Sequence, residues 1–132
     1  MENYIWVAIG GALGTGGRYF VSGVIARLFG ETFPWGTLLI NVTGSFVIGF
    51  FAALTGPDGR YFVSSTGRQF VMTGICGGYT TFSSFSLQTL NLMNDGEWFR
   101  AGGYIALSVV LCLIAVWMGY VLANSISTMK WI

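Results

Sequence analysis

Apolar residues fill long stretches of this chain, and polar residues collect in short breaks between them. A helical membrane span needs about 20 mostly apolar residues. Four runs meet that length, at roughly 4–29, 35–54, 69–93 and 99–124. The breaks read "GETFP", "TGPDGRYFVSSTGR" and "NDGEW", and Pro34 and Pro57 lie in or beside them, where helices end. Trp6, Trp35, Trp98, Trp117 and Trp131 lie mostly toward run ends, as interfacial aromatic residues do. The pattern predicts an all-α membrane protein: one transmembrane domain over 1–132 with four spans and no room for a soluble domain. The first run is too long for the apolar part of a signal peptide and lacks a basic segment before it.

Polar positions inside the runs are few and ordered. In the second run Thr37, Asn41 and Ser45 recur every four residues and so share a helix face. An Asn amide facing lipid would lack partners, so this face meets another helix or a water-filled path. Tyr104, Ser108 and Cys112 repeat the spacing in the fourth run. The first run carries Gly10 and Gly14, a spacing that permits close helix approach, followed by Arg18. Arg18 is the one charge well inside a run. It reads either as a group drawing anions to a pathway or as a side chain snorkelling to the interface.

The third run holds "GICGGYTTFSSFS", residues 74–86. Paired glycines weaken helices, and hydroxyl side chains offer the backbone competing partners. The stretch Gly77–Gly78 and on through Thr81 predicts a broken helix. A break frees carbonyls for a small cation and N–H groups for an anion. Phe82 and Phe85 follow on one face with Ser83, Ser84 and Ser86 nearby. Two such rings are ordinary packing, or their electropositive edges line an anion path.

Composition narrows the function. Hydrophobic residues make up 54% and charged residues 8%, against about 25% charged in ordinary soluble domains. The near-neutral balance of six basic and five acidic residues gives nucleic acid no electrostatic footing. Glu2, Glu31, Asp58, Asp95 and Glu97 all fall at run ends or in breaks, and the chain has no His. A proton-coupled exporter needs a titrating group inside the membrane. None is present, which disfavours the small four-helix drug exporters. Cys76 and Cys112 are far apart in sequence and read as buried apolar residues. With the termini on one side, that side holds Arg60, Arg68 and Lys130 against Arg27 and Arg100 on the other. Three against two is a weak bias and leaves insertion in both orientations open.

Three segments together resemble the small fluoride channels of the Fluc/CrcB family: "GGALGTGGRY", "PWGTLLINVTGS" and "GICGGYTTFSSFS". The resemblance implies an antiparallel, dual-topology homodimer in the bacterial inner membrane, with two fluoride pathways along the subunit interface. It implies that Asn41 donates to fluoride and that Phe82 and Phe85 turn ring edges to it. Thr37, Ser83, Ser84, Tyr104 and Ser108 would line the path, with Arg18 near the vestibule. It also implies one structural sodium at the dimer centre, held by the backbone carbonyls of Gly77 and Thr80 from each subunit. Many relatives carry Glu where this chain has Gln88, and Cys112 interrupts the polar line of the fourth run. The expected function is passive fluoride export, with a small-solute exporter or a non-conducting scaffold subunit as the alternatives.

Overall fold

The computed structural model describes residues 1–129, so Lys130 and Trp131 lie outside the described residues. The described chain is entirely helical apart from its connections. Helix α1 spans Glu2–Phe29 and α2 spans Trp35–Leu54. A short α3, Ser65–Gln69, runs into a π-helical segment, Phe70–Cys76, and one further turn, α4, Gly77–Tyr79. After an interruption come α5, Phe82–Asn94, and α6, Trp98–Thr128. Helices α2 and α6 are long and apolar enough to cross a membrane.

Local chemistry sets the helix ends. Gly30 adopts φ 77° and returns its N–H to the Ala26 carbonyl, a left-handed stop that glycine takes without strain. Ser64 caps α3 by accepting from Gly67 N–H at 3.2 Å. Arg68 reaches back to the end of α2, where it bonds the Thr55 hydroxyl and, at 3.4 Å, the Ala52 carbonyl. A cation there suits the partial negative charge of a helix C-terminus. The third run therefore begins at Ser65, four residues before the expected 69, on a polar turn that hydropathy does not register. Helix α6 likewise outlasts the expected 124. Ser125 and Ser127 bond the carbonyls of Val121 and Ala123, four residues back, so their hydroxyls are satisfied within the helix.

Glycines bring the helices into backbone contact. Helix α1 lies against the π-helical segment through buried Gly10 and Gly14. A methyl on Gly14 would overlap the Ile75 carbonyl oxygen. Helices α2 and α6 pack alongside each other through Gly49 and Gly119, whose faces meet the carbonyls of Val116 and Phe46. A small core of Leu38, Leu92, Ala101 and Tyr104 fills the space between α2, α5 and α6, with Phe33 and Phe85 against it. Ile40 is also fully buried, but many large apolar side chains point outward, among them Leu113, Trp117 and Met118 of α6. So much outward apolar surface has no place in water and marks a membrane or partner face.

The close approach of α1 yields a direct test. Gly14→Ala should destabilise the protein by about 1–3 kcal/mol, the usual cost of overpacking. Gly23 of the same helix has nothing within 4 Å of a built methyl. Gly23→Ala should therefore leave the thermal midpoint unchanged or slightly raised. Thermal unfolding of the two purified variants in detergent checks the contrast.

Candidate functional site

The interruption falls at the far end of the expected stretch 77–81, two residues past the glycine pair. Gly77 is helical, with φ −65° and ψ −36°. The chain turns extended at Thr80, φ −80° and ψ 158°, and at Thr81, φ −152° and ψ 113°. Two β-branched residues suit that conformation. The glycines have other work. A methyl on Gly78 would meet the Gly11 carbonyl oxygen at 2.5 Å, so Gly78 lets α1 come close. Gly77 is exposed, and a methyl there would meet only the Met72 carbonyl oxygen, at 3.9 Å.

Helix α2 holds the interruption together. Asn41 Oδ1 accepts from the Thr81 N–H at 2.8 Å, and its Nδ2 donates to the Thr81 carbonyl at 3.1 Å. The amide thus completes the backbone of Thr81, the second of the two residues, Thr80 and Thr81, that both flanking helices leave out. Two residues on, the Thr43 hydroxyl meets the Tyr79 hydroxyl at 2.9 Å. Between them Gly44 lies against Thr80 so closely that a methyl would overlap Thr80 Cγ2. Residues 41–44 of α2 are a saddle on which the interruption sits. On the far side Thr81 caps α5, its Oγ1 accepting from Ser84 N–H at 3.2 Å.

These bonds decide which carbonyls are released. In an unbroken α-helix the Thr81 N–H would bond Gly77 O, and the Ser84 N–H would bond Thr80 O. Here the first goes to Asn41 and the second to the Thr81 hydroxyl. Gly77 and Thr80 both line a groove of about 400 Å³ on one flank of the subunit. Both residues border one groove and both carbonyls have lost their helical donor, and carbonyl oxygens are ligands that a hard cation takes.

The same groove is lined by Asn41, Ser45, Phe82, Phe85, Ser108 and Cys112. Phe82 is 79% exposed at its rim, and its ring lies 5.4 Å from that of Phe85. Phe85 packs in turn on Tyr104, ring centroids 5.1 Å apart. The Ser108 hydroxyl is buried and has no partner, so it is not spent on its own helix. Of the expected stripe in α2, Asn41 and Ser45 face this groove. Thr37 faces two smaller cavities on the other flank.

Those cavities adjoin through shared residues Ser22, Thr37 and Gln88. The outer one, about 280 Å³, bears Glu31 and Asp95 near the chain connections. The inner one, about 270 Å³, is lined by Arg18, Thr37, Thr81, Ser84 and Gln88. Half-buried Arg18 therefore lines a cavity of mixed polar and apolar surface, and the one ion pair among the described residues is Arg100–Glu97 at 3.0 Å. Ser83 lies near the Thr81 hydroxyl at 3.4 Å, on the exposed side of α5. Fully buried Tyr104 donates to Gln88 Oε1 at 2.9 Å, a bond between α6 and α5 that the sequence did not indicate. Thr81, absent from the expected site residues, is its structural centre. A Thr just before a helical Phe-Ser-Ser stretch has the form of an N-cap and was the available signal.

Residues 5–120 match the family described as CrcB-like protein, Camphor Resistance (CrcB). The chain belongs to the CrcB family. It is 61% identical over 130 residues to the fluoride-specific ion channel FluC of Opitutus terrae, covering 98% of both chains. It is 62% identical over 128 residues to the protein of that name from Methylocella silvestris, covering 97% of this chain and 98% of the other. The Rhodospirillum rubrum protein of that name is 61% identical over 118 residues, 89% of this chain and 92% of its own. These CrcB relatives are named as channels, not enzymes.

The saddle predicts a rescue within this CrcB chain. Gly44→Ala should cost about 1–3 kcal/mol by forcing its methyl onto Thr80. Adding Thr80→Ser, which removes Cγ2, should restore most of the lost thermal stability. Thermal unfolding of the single and double variants measures the coupling.

Proposed function

We propose that this protein is a passive, fluoride-selective channel that lets fluoride leave the cytoplasm. The observation that carries the reading is the match, over nearly the whole chain, to relatives named as fluoride-specific ion channels. The charge pattern supports it. Every Asp and Glu lies at a helix end or in a connection, so no carboxylate sits in a helix interior to carry a proton. Fluoride in an acid medium crosses lipid as neutral HF and ionises inside, so an anion leak down its gradient lowers the internal level.

In this reading the spans are the four apolar runs at 4–29, 35–54, 69–93 and 99–124, with the third broken at Thr80–Thr81. A second, antiparallel copy faces the groove that Phe82 rims, and the weak basic bias suits opposite insertion. Asn41 keeps a second amide N–H beyond the one it gives Thr81 and donates it to fluoride, and the ring edges of Phe82 and Phe85 offer positive potential without a formal charge. The hydroxyls of Thr37, Ser83, Ser84, Tyr104 and Ser108 replace the water that the ion sheds, and Arg18 raises its local concentration. The Gly77 and Thr80 carbonyls of both copies would hold a sodium ion, which supplies fixed positive charge at the dimer centre. The location is the bacterial inner membrane, crossed several times.

Fluoride efflux from liposomes, followed with a fluoride electrode, tests the reading. Fluoride should leave without a pH gradient while chloride stays. Phe82→Ile should slow the efflux by about tenfold or more, as the electropositive ring edge is lost. Efflux that strictly needs a proton gradient would support an exporter instead. No efflux at all would leave a scaffold subunit.

A further inference from the structure

We infer that Asn41 is a positioning residue: by clasping the Thr81 backbone it holds the helix interruption open and keeps the Gly77 carbonyl free. This deepens the channel reading and rests on it only for the cation. The geometry supplies the argument. A side-chain amide has one acceptor oxygen and one donor nitrogen. In Asn41 both are engaged by the same residue, at 2.8 Å and 3.1 Å. That bidentate pairing copies what a neighbouring backbone would offer. It satisfies two part-buried backbone groups that the interrupted helix leaves without partners. It also has a consequence one turn back, because the Thr81 N–H taken by Oδ1 is the donor that a continuous helix would give to Gly77 O. Without the clasp the Thr81 N–H has no fixed partner, and residues 77–81 fluctuate between open forms, in which that amide exchanges, and helix-like forms that intermittently cover the Gly77 carbonyl. Asn41 thereby ties the anion groove to the carbonyl pair of Gly77 and Thr80, which lines the same groove.

Neighbouring contacts reinforce the assignment. Gly44 admits Thr80 and Thr43 binds Tyr79, so α2 contacts three consecutive residues of the interruption. Ser45 bonds the Asn41 carbonyl at 2.7 Å, so the hydroxyl one turn on does not compete for the amide.

Amide hydrogen exchange on the purified protein in detergent provides the test. In the unsubstituted protein the Thr81 amide should exchange as slowly as helical amides of α5, although its backbone is extended. Asn41→Ala should speed exchange at Thr81 by about tenfold or more, the loss of one buried hydrogen bond, and leave α6 unchanged. Asn41→Asp keeps an acceptor for the Thr81 N–H and should restore most of the protection. The sodium concentration giving half-maximal thermal stabilisation should rise by about tenfold in Asn41→Ala. A Thr81 amide that exchanges as fast as loop amides in the unsubstituted protein overturns the inference, with no variant needed. So does unchanged exchange in Asn41→Ala. If sodium stabilises neither protein, the cation reading fails while exchange still decides the clasp.

Discussion

Inside a bilayer a backbone N–H or C=O has no water to turn to, and an open helix end there is costly unless protein groups complete it. The pair of hydrogen bonds between Asn41 and Thr81 meets that constraint at the point where the third run comes apart. Much else follows from it. The side chain must come from another helix, so α2 has to run beside the interruption. A methyl at position 44 would hold the two apart, so glycine stands there. The residue after the extended pair must start a new helix, and the Thr81 hydroxyl provides the cap. Among the carbonyls that lose their helical donors are those of Gly77 and Thr80, residues that border the groove.

The packing reflects the same economy. With few large side chains in the interior, the helices approach backbone to backbone through Gly14, Gly49, Gly78 and Gly119. Such contacts are the usual means of association where lipid removes the hydrophobic drive between helices. They leave the large apolar side chains free to face outward. They also leave two openings where polar side chains reach the surface, a mainly apolar groove beside α5 edged by a few polar residues and the pair of cavities beside Arg18. Thr81 borders both the groove and the inner cavity, so the clasped residue stands between them.

The first two apolar runs, 4–29 and 35–54, translate almost directly into α1 and α2, because each is bounded by glycine or proline punctuation. The third run was legible as a broken helix but not in detail. Glycine serves both flexibility and close approach, and sequence does not separate these uses. At Gly77 and Gly78 it is the helix that continues, while Thr80 and Thr81 leave it. The π-helical stretch at Phe70–Cys76 has no mark in the residue pattern. Asn41 was legible as a costly amide that needed a partner. That its partner is a backbone 40 residues away depends on the fold. Gln88 was visible only as a departure from relatives, and its bond to Tyr104 needs α5 and α6 side by side.

The claim that joins these parts is passive passage of one anion through a membrane with no titrating carrier. The reversal potential in a planar bilayer measures it most directly. With a tenfold fluoride gradient, equal chloride and equal pH on both sides, the current should reverse near the fluoride equilibrium potential, about 59 mV for a univalent ion. It should stay there when a chloride or pH gradient is added. A reversal potential that follows either of those gradients would contradict the account.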